Sequence, residues 1–341
     1  MKKLLFLLVL IGGGYYFMPA HIPLKMKVST FIDSVIGKKS RFEEKSGSRK
    51  AEAFVLPVES RAKTAGYQPI LRRDWGVYAV PTAHAAIIMD AGSGDVLFEQ
   101  SAHQRRQIAS LTKVYTALLV VKHVKSLDEV VTISEEIVDI TDGTRIGCPR
   151  SGFCTGTRLQ LGEQLTVRDL LKAALMNSTN DGASALAVHV AGSMENFVKM
   201  MNDHALELGL VDSHFCTPSG LEIDGRESEC YSSAHDIARI TVLALKYPEL
   251  WDIMRIESDT ITSIDGQYSH DIANTNQILG QVPNLLGTKT GFTPLAGYSL
   301  LAAVSDYQGE RKIVAVVLDD QSRWESIRSM FDWTYQAYEW K

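Results

Sequence analysis

Ile108-Ala109-Ser110-Leu111-Thr112-Lys113-Val114-Tyr115-Thr116-Ala117-Leu118-Leu119 is the stretch whose reading decides this chain. After Ser110, apolar residues recur at Leu111, Val114, Tyr115, Leu118 and Leu119, the spacing of a helix with one buried face. Three residues make roughly one turn, so Ser110 and Lys113 project from the same face. A serine hydroxyl is a poor nucleophile until a base takes its proton. A lysine can be that base only as the neutral amine, which requires its pKa to fall from about 10.4 toward neutrality. Burial and a neighbouring positive charge both push that way. The helix start adds backbone N–H groups and a positive dipole end that favour developing negative charge. Taken alone, Ser-x-x-Lys is an ordinary capping serine with a surface lysine one turn on. Ser60-Arg61-Ala62-Lys63 repeats the spacing with no other catalytic signal beside it.

Two further strings change the weight. Ser178-Thr179-Asn180 follows Thr166-Val-Arg-Asp169-Leu-Leu-Lys-Ala-Ala-Leu-Met176, which opens like a capped helix and keeps its leucines on one face. Ser178 and Asn180 therefore fall at a helix end or loop, where Ser178 could relay a proton and Asn180 could bind a substrate amide. By itself the string is a polar turn. Lys289-Thr290-Gly291 precedes the apolar runs Tyr298-Ser-Leu-Leu-Ala-Ala-Val304 and Ile313-Val-Ala-Val-Val-Leu318, with a turn at Gln308-Gly309 between them. That is a β-hairpin with the triplet on the preceding strand. Glycine weakens a strand unless another backbone must approach closely, as a peptide substrate added along this edge would. Lys289 and Thr290 would meet its carboxylate, and the N–H of Phe292 would join that of Ser110 as an oxyanion hole. By itself this is a surface lysine beside a turn glycine.

In this order, about 65 and then about 110 residues apart, the three strings describe a serine enzyme that uses lysine as its base. At this point the chain resembles the low-molecular-mass penicillin-binding proteins, the serine D-alanyl-D-alanine carboxypeptidases. The resemblance includes Ile108-Ala-Ser-Leu-Thr-Lys113, Asn274-Thr-Asn276 and Gly287-Thr-Lys-Thr-Gly-Phe-Thr293 followed by Ala296-Gly-Tyr298, and it covers about residues 85–335. It implies an α/β, β-lactamase/transpeptidase-like fold, a central antiparallel sheet flanked by helices with a helical subdomain. It further implies Ser110 as acylated nucleophile and Lys113 as base, with Ser178, Asn180, Lys289, Thr290, Gly291 and Phe292 at the cleft. No metal and no cofactor are implied. Thr179 stands where relatives often have glycine, and Phe292 where histidine is common. An insertion with Cys148 and Cys154 precedes the second motif.

The expected activity is removal of the terminal D-alanine from peptidoglycan stem peptides through an acyl-enzyme, with β-lactams as inhibitors. A D,D-endopeptidase would share every motif. A serine β-lactamase would want a Glu-x-x-x-Asn before the third motif, and the interval offers Glu222, Asp224, Glu227 and Glu229 without that string. A catalytically idle wall-binding protein would not need an intact Ser110 and Lys113.

At 341 residues and 45% hydrophobic, the chain can bury a full core and still carry a tail. Residues 1–84 hold 14 Lys/Arg against 6 Asp/Glu, which leaves the remainder strongly acidic within a total of −5. An acidic body argues against nucleic acid as a partner. Lys2-Lys3 before the apolar residues 4–11 reads as an export device, so 1–20 is expected to be a signal peptide or membrane anchor. Met18-Pro19-Ala20 is a poor cleavage site, yet the apolar run is short of the roughly 20 residues a span needs. Either form places the enzyme outside, at the outer face of the cytoplasmic membrane or in the periplasm or wall. Residues 21–84 follow as an amphipathic helix, with Leu24, Val28, Phe31, Ile32, Val35 and Ile36 in one stripe, and a charged linker at 41–50. The stripe suits a membrane interface, a partner helix or the catalytic domain, which is assigned to 85–341. Residues 51–84 show no functional pattern.

Four cysteines in an exported chain fit two disulfides with three possible pairings. Cys148–Cys154 and Cys216–Cys230 are favoured, because each pair brackets a short loop bearing glycine or proline. Zinc is the alternative, but the nine histidines supply no ligand spacing near these cysteines. Trp324, Ile327, Phe331, Tyr335 and Tyr338 have helical spacing and are expected to pack on the sheet.

Overall fold

Ile313-Val-Ala-Val-Val-Leu318 is apolar at every position, the mark of a strand covered on both faces. The computed structural model describes residues 67–73, 78, 82–148 and 154–341, and it shows both coverings. Two units are distinguishable, Met1–Val58 and Glu59–Lys341, and all described residues belong to the second. The expected signal or anchor at 1–20, the apolar stripe at 24–36 and the linker at 41–50 lie outside the described residues.

In chain order the first elements are β1 (Pro69–Leu71), β2 (Ala85–Asp90), β3 (Val96–Gln100) and α1 (Thr112–His123). Then come β4 (Val130–Thr132), α2 (Glu135–Val138), β5 (Gln164–Thr166), α3 (Val167–Leu175), α4 (Asn180–Ala191) and α5 (Met194–Glu207). The chain continues through α6 (Ala234–Ala244), α7 (Pro248–Met254), β6 (Ser258–Thr262) and β7 (Ser269–Ala273). It closes with β8 (Leu285–Thr293), β9 (Gly297–Ser305), β10 (Lys312–Leu318), α8 (Arg323–Ala337) and β11 (Tyr338–Trp340).

The central sheet has the order β3-β2-β10-β9-β8, with every neighbouring pair antiparallel. Alternate residues point to opposite faces. Ala86, Ile88, Leu300, Ala302, Ala315 and Val317 share one core with Trp324, Ile327 and Phe331 of α8. Ile87, Met89, Leu301, Ala303, Val314 and Val316 share the other with α1, α6 and the remaining helices. The aromatic C-terminal helix is thus core packing, as its spacing predicts. The expected hairpin is β9–β10, with the third motif on β8 beside it. β8 ends the sheet, and among the described residues no further strand of this sheet pairs on its outer side.

Two local expectations need adjusting. The helix does not begin at Ser110: Ala109–Leu111 is a separate 3₁₀ turn. Nor does α1 bury only one face, because all residues from Thr112 to Val120 are buried. It is surrounded by α3, α4, α5 and α6, and its polar residues turn to internal partners. Thr116 Oγ1, for example, donates to Pro218 O at 2.6 Å. α3 does begin as predicted, with Thr166 Oγ1 accepting from Asp169 N at 3.1 Å. Both favoured disulfides are formed, Cys148–Cys154 and Cys216–Cys230. Residues 69–71, where the sequence offered no pattern, pair antiparallel with 338–340.

Candidate active site

Ser110 sits in the 3₁₀ turn and Lys113 one turn later, in α1. Lys113 is completely buried, and its Nζ lies 2.8 Å from Ser110 Oγ. The same nitrogen is 2.8 Å from Asn180 Oδ1 and 2.9 Å from Ser219 O. The backbone before the serine is held in an uncommon shape, with Ala109 at φ +48°. Left-handed backbone costs a residue with a Cβ about 1–2 kcal/mol. Gly220 braces it from outside: a Cβ there would fall 1.9 Å from Ala109 O.

Ser178 and Thr179 lie between α3 and α4 and Asn180 opens α4, at a helix end as the spacing predicts. Ser178 also takes left-handed backbone, at φ +65°, and is half-buried. Thr179 caps α4 by position but makes no side-chain cap bond, and it is buried against Gly182, where a Cβ would come 2.6 Å from Thr179 Oγ1. The departure from glycine at 179 therefore faces the interior. Asn180 was expected to meet a substrate amide. Here both ends of its side chain are engaged within the protein, Oδ1 with Lys113 and Nδ2 donating to Asp142 O at 3.0 Å.

The third motif reaches the other two from β8. Lys289 is also completely buried, and its Nζ donates to Ser178 Oγ at 2.8 Å and Thr290 O at 3.0 Å. Burial, then the charge of Arg323, pushes Lys289 down to about 7. Thr290 Oγ1 pairs with Thr275 Oγ1 at 2.8 Å, which ties in Asn274-Thr-Asn276. Gly291 does face an approaching backbone, but it is the chain's own: a Cβ would lie 2.8 Å from Ile108 O and 3.2 Å from Leu111 Cγ. Phe292 packs its ring on Tyr298, with centroids 4.4 Å apart, and Thr293 Oγ1 donates to the Glu222 carboxylate.

The sequence reading missed four contributors. The Ser219 carbonyl and the Asp142 carbonyl are backbone groups and carry no side-chain signature. Thr275 stands in the quoted flanking text without an assigned role. Arg323 Nη1 donates to Gly291 O at 3.1 Å and Ser299 O at 3.2 Å, with its guanidinium 5.1 Å from the rings of Tyr298 and Trp324. An arginine opening an otherwise aromatic helix was its only signal.

An antiparallel sheet between helix layers, with three motifs converging beside its edge strand, defines the class of penicillin-binding, transpeptidase-like folds. The chain belongs to the D-alanyl-D-alanine carboxypeptidase family, whose model matches residues 79–322. D-alanyl-D-alanine carboxypeptidase DacD of Escherichia coli is 32% identical over 269 residues, 76% of this chain and 65% of that protein. A D-alanyl-D-alanine endopeptidase of Pseudomonas aeruginosa is 32% identical over 218 residues, 64% of this chain and 65% of that one. The chain thus spans just under two thirds of the length of either relative. Among solved structures, ampicillin-bound penicillin-binding protein D2 of Listeria monocytogenes aligns with TM-score 0.63 and 28% identity, over 76% of this chain and all of its own.

Proposed function

We propose that this protein is a serine D,D-carboxypeptidase that removes the terminal D-alanine from peptidoglycan stem peptides, with Ser110 as nucleophile and Lys113 as base. The observation that carries the reading is the set of contacts around Lys113 Nζ. Asn180 Oδ1 and Ser219 O can only accept hydrogen bonds. A neutral lysine amine has two N–H donors and one lone pair, so those two oxygens take the donors. The lone pair of that neutral amine can then turn to the Ser110 hydroxyl, whose Oγ lies 2.8 Å from Nζ.

Ser110 Oγ attacks the carbonyl carbon of the penultimate D-alanine while its proton passes to Lys113. The N–H groups of Ser110 and Phe292 serve the oxyanion. Collapse breaks the peptide bond, and the leaving nitrogen takes a proton through Ser178, which the Lys289 ammonium supports from below. Water then hydrolyses the acyl ester. The substrate lies along the open edge of β8, with Thr290 and Gly291 lining it and Lys289 supplying buried positive charge toward the terminal carboxylate. A β-lactam enters the same path and stays attached, because its leaving group is tethered. The similarity to an endopeptidase supports a second reading, cleavage of wall cross-links at this same site.

Two disulfides suit an oxidising, exported setting. Residues 1–20 act as signal or anchor, the segment after them leads to the catalytic domain, to which 69–71 also add a strand, and the N-terminal segment supplies any membrane contact. Among the described residues no helix is long and apolar enough to cross a membrane. The deciding experiment is mass spectrometry of a purified stem pentapeptide after incubation with enzyme. Loss of one D-alanine, abolished in Ser110→Ala and retained in Ser60→Ala, is expected. Cleavage confined to cross-linked dimers favours the endopeptidase, and turnover that persists without Ser110 removes both readings.

A further inference from the structure

Asn180 presents its carbonyl, not its amide NH₂, to Lys113, and the group that decides this is Asp142 O. That carbonyl takes Asn180 Nδ2 at 3.0 Å. A reversed amide would aim Nδ2 at the lysine and Oδ1 at another carbonyl oxygen, pairing acceptor with acceptor. The segment that carries Asp142 O is itself held at several points. Thr144 O accepts from Asn180 N at 2.7 Å, and Ile146 N donates to both carboxylate oxygens of Asp181 at 3.1 Å. Gly143, at φ +69°, lets the loop lie so close that a Cβ would be 2.4 Å from Asn180 Nδ2. Arg145 and Cys148 exchange backbone hydrogen bonds at 2.9 and 3.0 Å. Cys148 is completely buried and bonded to Cys154, and Gly147 O accepts from Thr155 N and Gly156 N just beyond that bridge.

We propose that the segment Asp142–Cys148, tethered by its disulfide to Cys154, is a positioning element of the acylation step, which holds Asn180 so that the Lys113 lone pair can face the Ser110 proton. The proposal rests on the reading of Ser110 and Lys113 given above. When the loop loosens, the Asn180 amide turns, Nδ2 donates to the neutral amine, and the lone pair is withdrawn from Ser110. Such a device acts on the rate of acylation and not on affinity for the acyl donor. The insertion that carries Cys148 and Cys154 then has a mechanistic role as well as a structural one.

The test is stopped-flow acylation by benzylpenicillin under saturation, which separates the acylation rate constant from the dissociation constant of the encounter complex. Two variants open the loop by different means, the pair Cys148→Ser with Cys154→Ser, and Gly143→Ala. Each is made alone and on an Asn180→Ala background, with melting curves to establish folding. Each variant alone is expected to lower the acylation rate constant roughly 10- to 100-fold with the dissociation constant unchanged. On the Asn180→Ala background the same changes should cost less than about 3-fold more, because the group they position is gone. Acylation at the wild-type rate, a loss confined to the dissociation constant, or the full loss repeated without Asn180 would overturn the proposal. If the cysteine pair does not fold, Gly143→Ala decides alone. Penicillin attached elsewhere than Ser110 in the wild type would defeat the underlying reading; attachment at Ser110 with unaffected loop variants defeats the loop proposal only.

Discussion

Lys289 Nζ donates to Ser178 Oγ at 2.8 Å, joining the edge strand of the sheet to the link between α3 and α4. The two residues come from different layers, and their contact ties one layer to the other. It also places a buried lysine amine against a hydroxyl that the proposed mechanism uses for proton relay. A substrate carboxylate would feel this charge through Ser178 and Thr290, since Lys289 itself has no exposed surface.

Replacing Lys113 by arginine retains positive charge but offers no neutral amine near pH 7. Acylation of Lys113→Arg by a labelled penicillin is expected to fall by at least ~10²-fold, the low end for loss of a general base. A near-normal rate by stopped flow would remove Lys113 from that role.

Lys289, held down to about 7 by burial and by Arg323, loses its proton across the neutral range. Only the protonated form attracts a carboxylate, so KM for a stem pentapeptide is expected to rise with pH above that value, approaching about tenfold per pH unit. A peptide amidated at its C-terminus should show no such limb. Arg323→Met removes the like charge and should move the limb to higher pH; a limb that stays in place would contradict the coupling.

Gly291→Ala tests how closely β8 presses on the nucleophile turn. The added Cβ would lie 2.8 Å from Ile108 O, a backbone atom with little room to move. Overpacking of this kind costs about 1–3 kcal/mol. We expect a lower melting temperature together with slower acylation, whereas a stable variant with unchanged acylation would mean that the strand can shift without disturbing Ser110.

Asp181 is raised to about 6, chiefly by burial, against hydrogen bonds from Ile146 N and Gly182 N and the charges of Arg145 and Arg158. Its folded pKa lies above the ordinary 3.8, so the native state binds this proton more tightly than the unfolded chain. The resulting stabilisation is complete below that ordinary value and is lost as pH rises through about 6. A shift of about two pH units corresponds to about 3 kcal/mol. Urea midpoints of Asp181→Asn should therefore lack this part of the pH dependence; a profile parallel to the wild type would show that Asp181 does not titrate there.

Much of this site was legible because much of it is local. Ser110 and Lys113 share one turn, Thr166 caps its own helix, and both disulfides close loops of modest length. Strand alternation and apolar runs likewise marked β8, β9 and β10 before any contact was known. Less legible was the surrounding of α1, because its spacing predicts an apolar face but not how many layers cover it. Gly291 shows the same limit: the sequence indicates that a backbone approaches, but not that the backbone is Ile108 of the same chain.

By itself the amino-acid sequence determined which residues are proposed to carry the chemistry, since nucleophile, base and amide are side-chain properties written in short motifs. Only the tertiary structure decided their orientation. Asn180 reaches Lys113 across 67 positions, Ser219 O across 106, and Lys289 reaches Ser178 across 111. Two of the groups that hold Asn180 and Lys113, Asp142 O and Ser219 O, are main-chain carbonyls that every residue type possesses. Their position depends on how loops close over a buried lysine, and burial is a property of the whole packed chain rather than of any one segment of it.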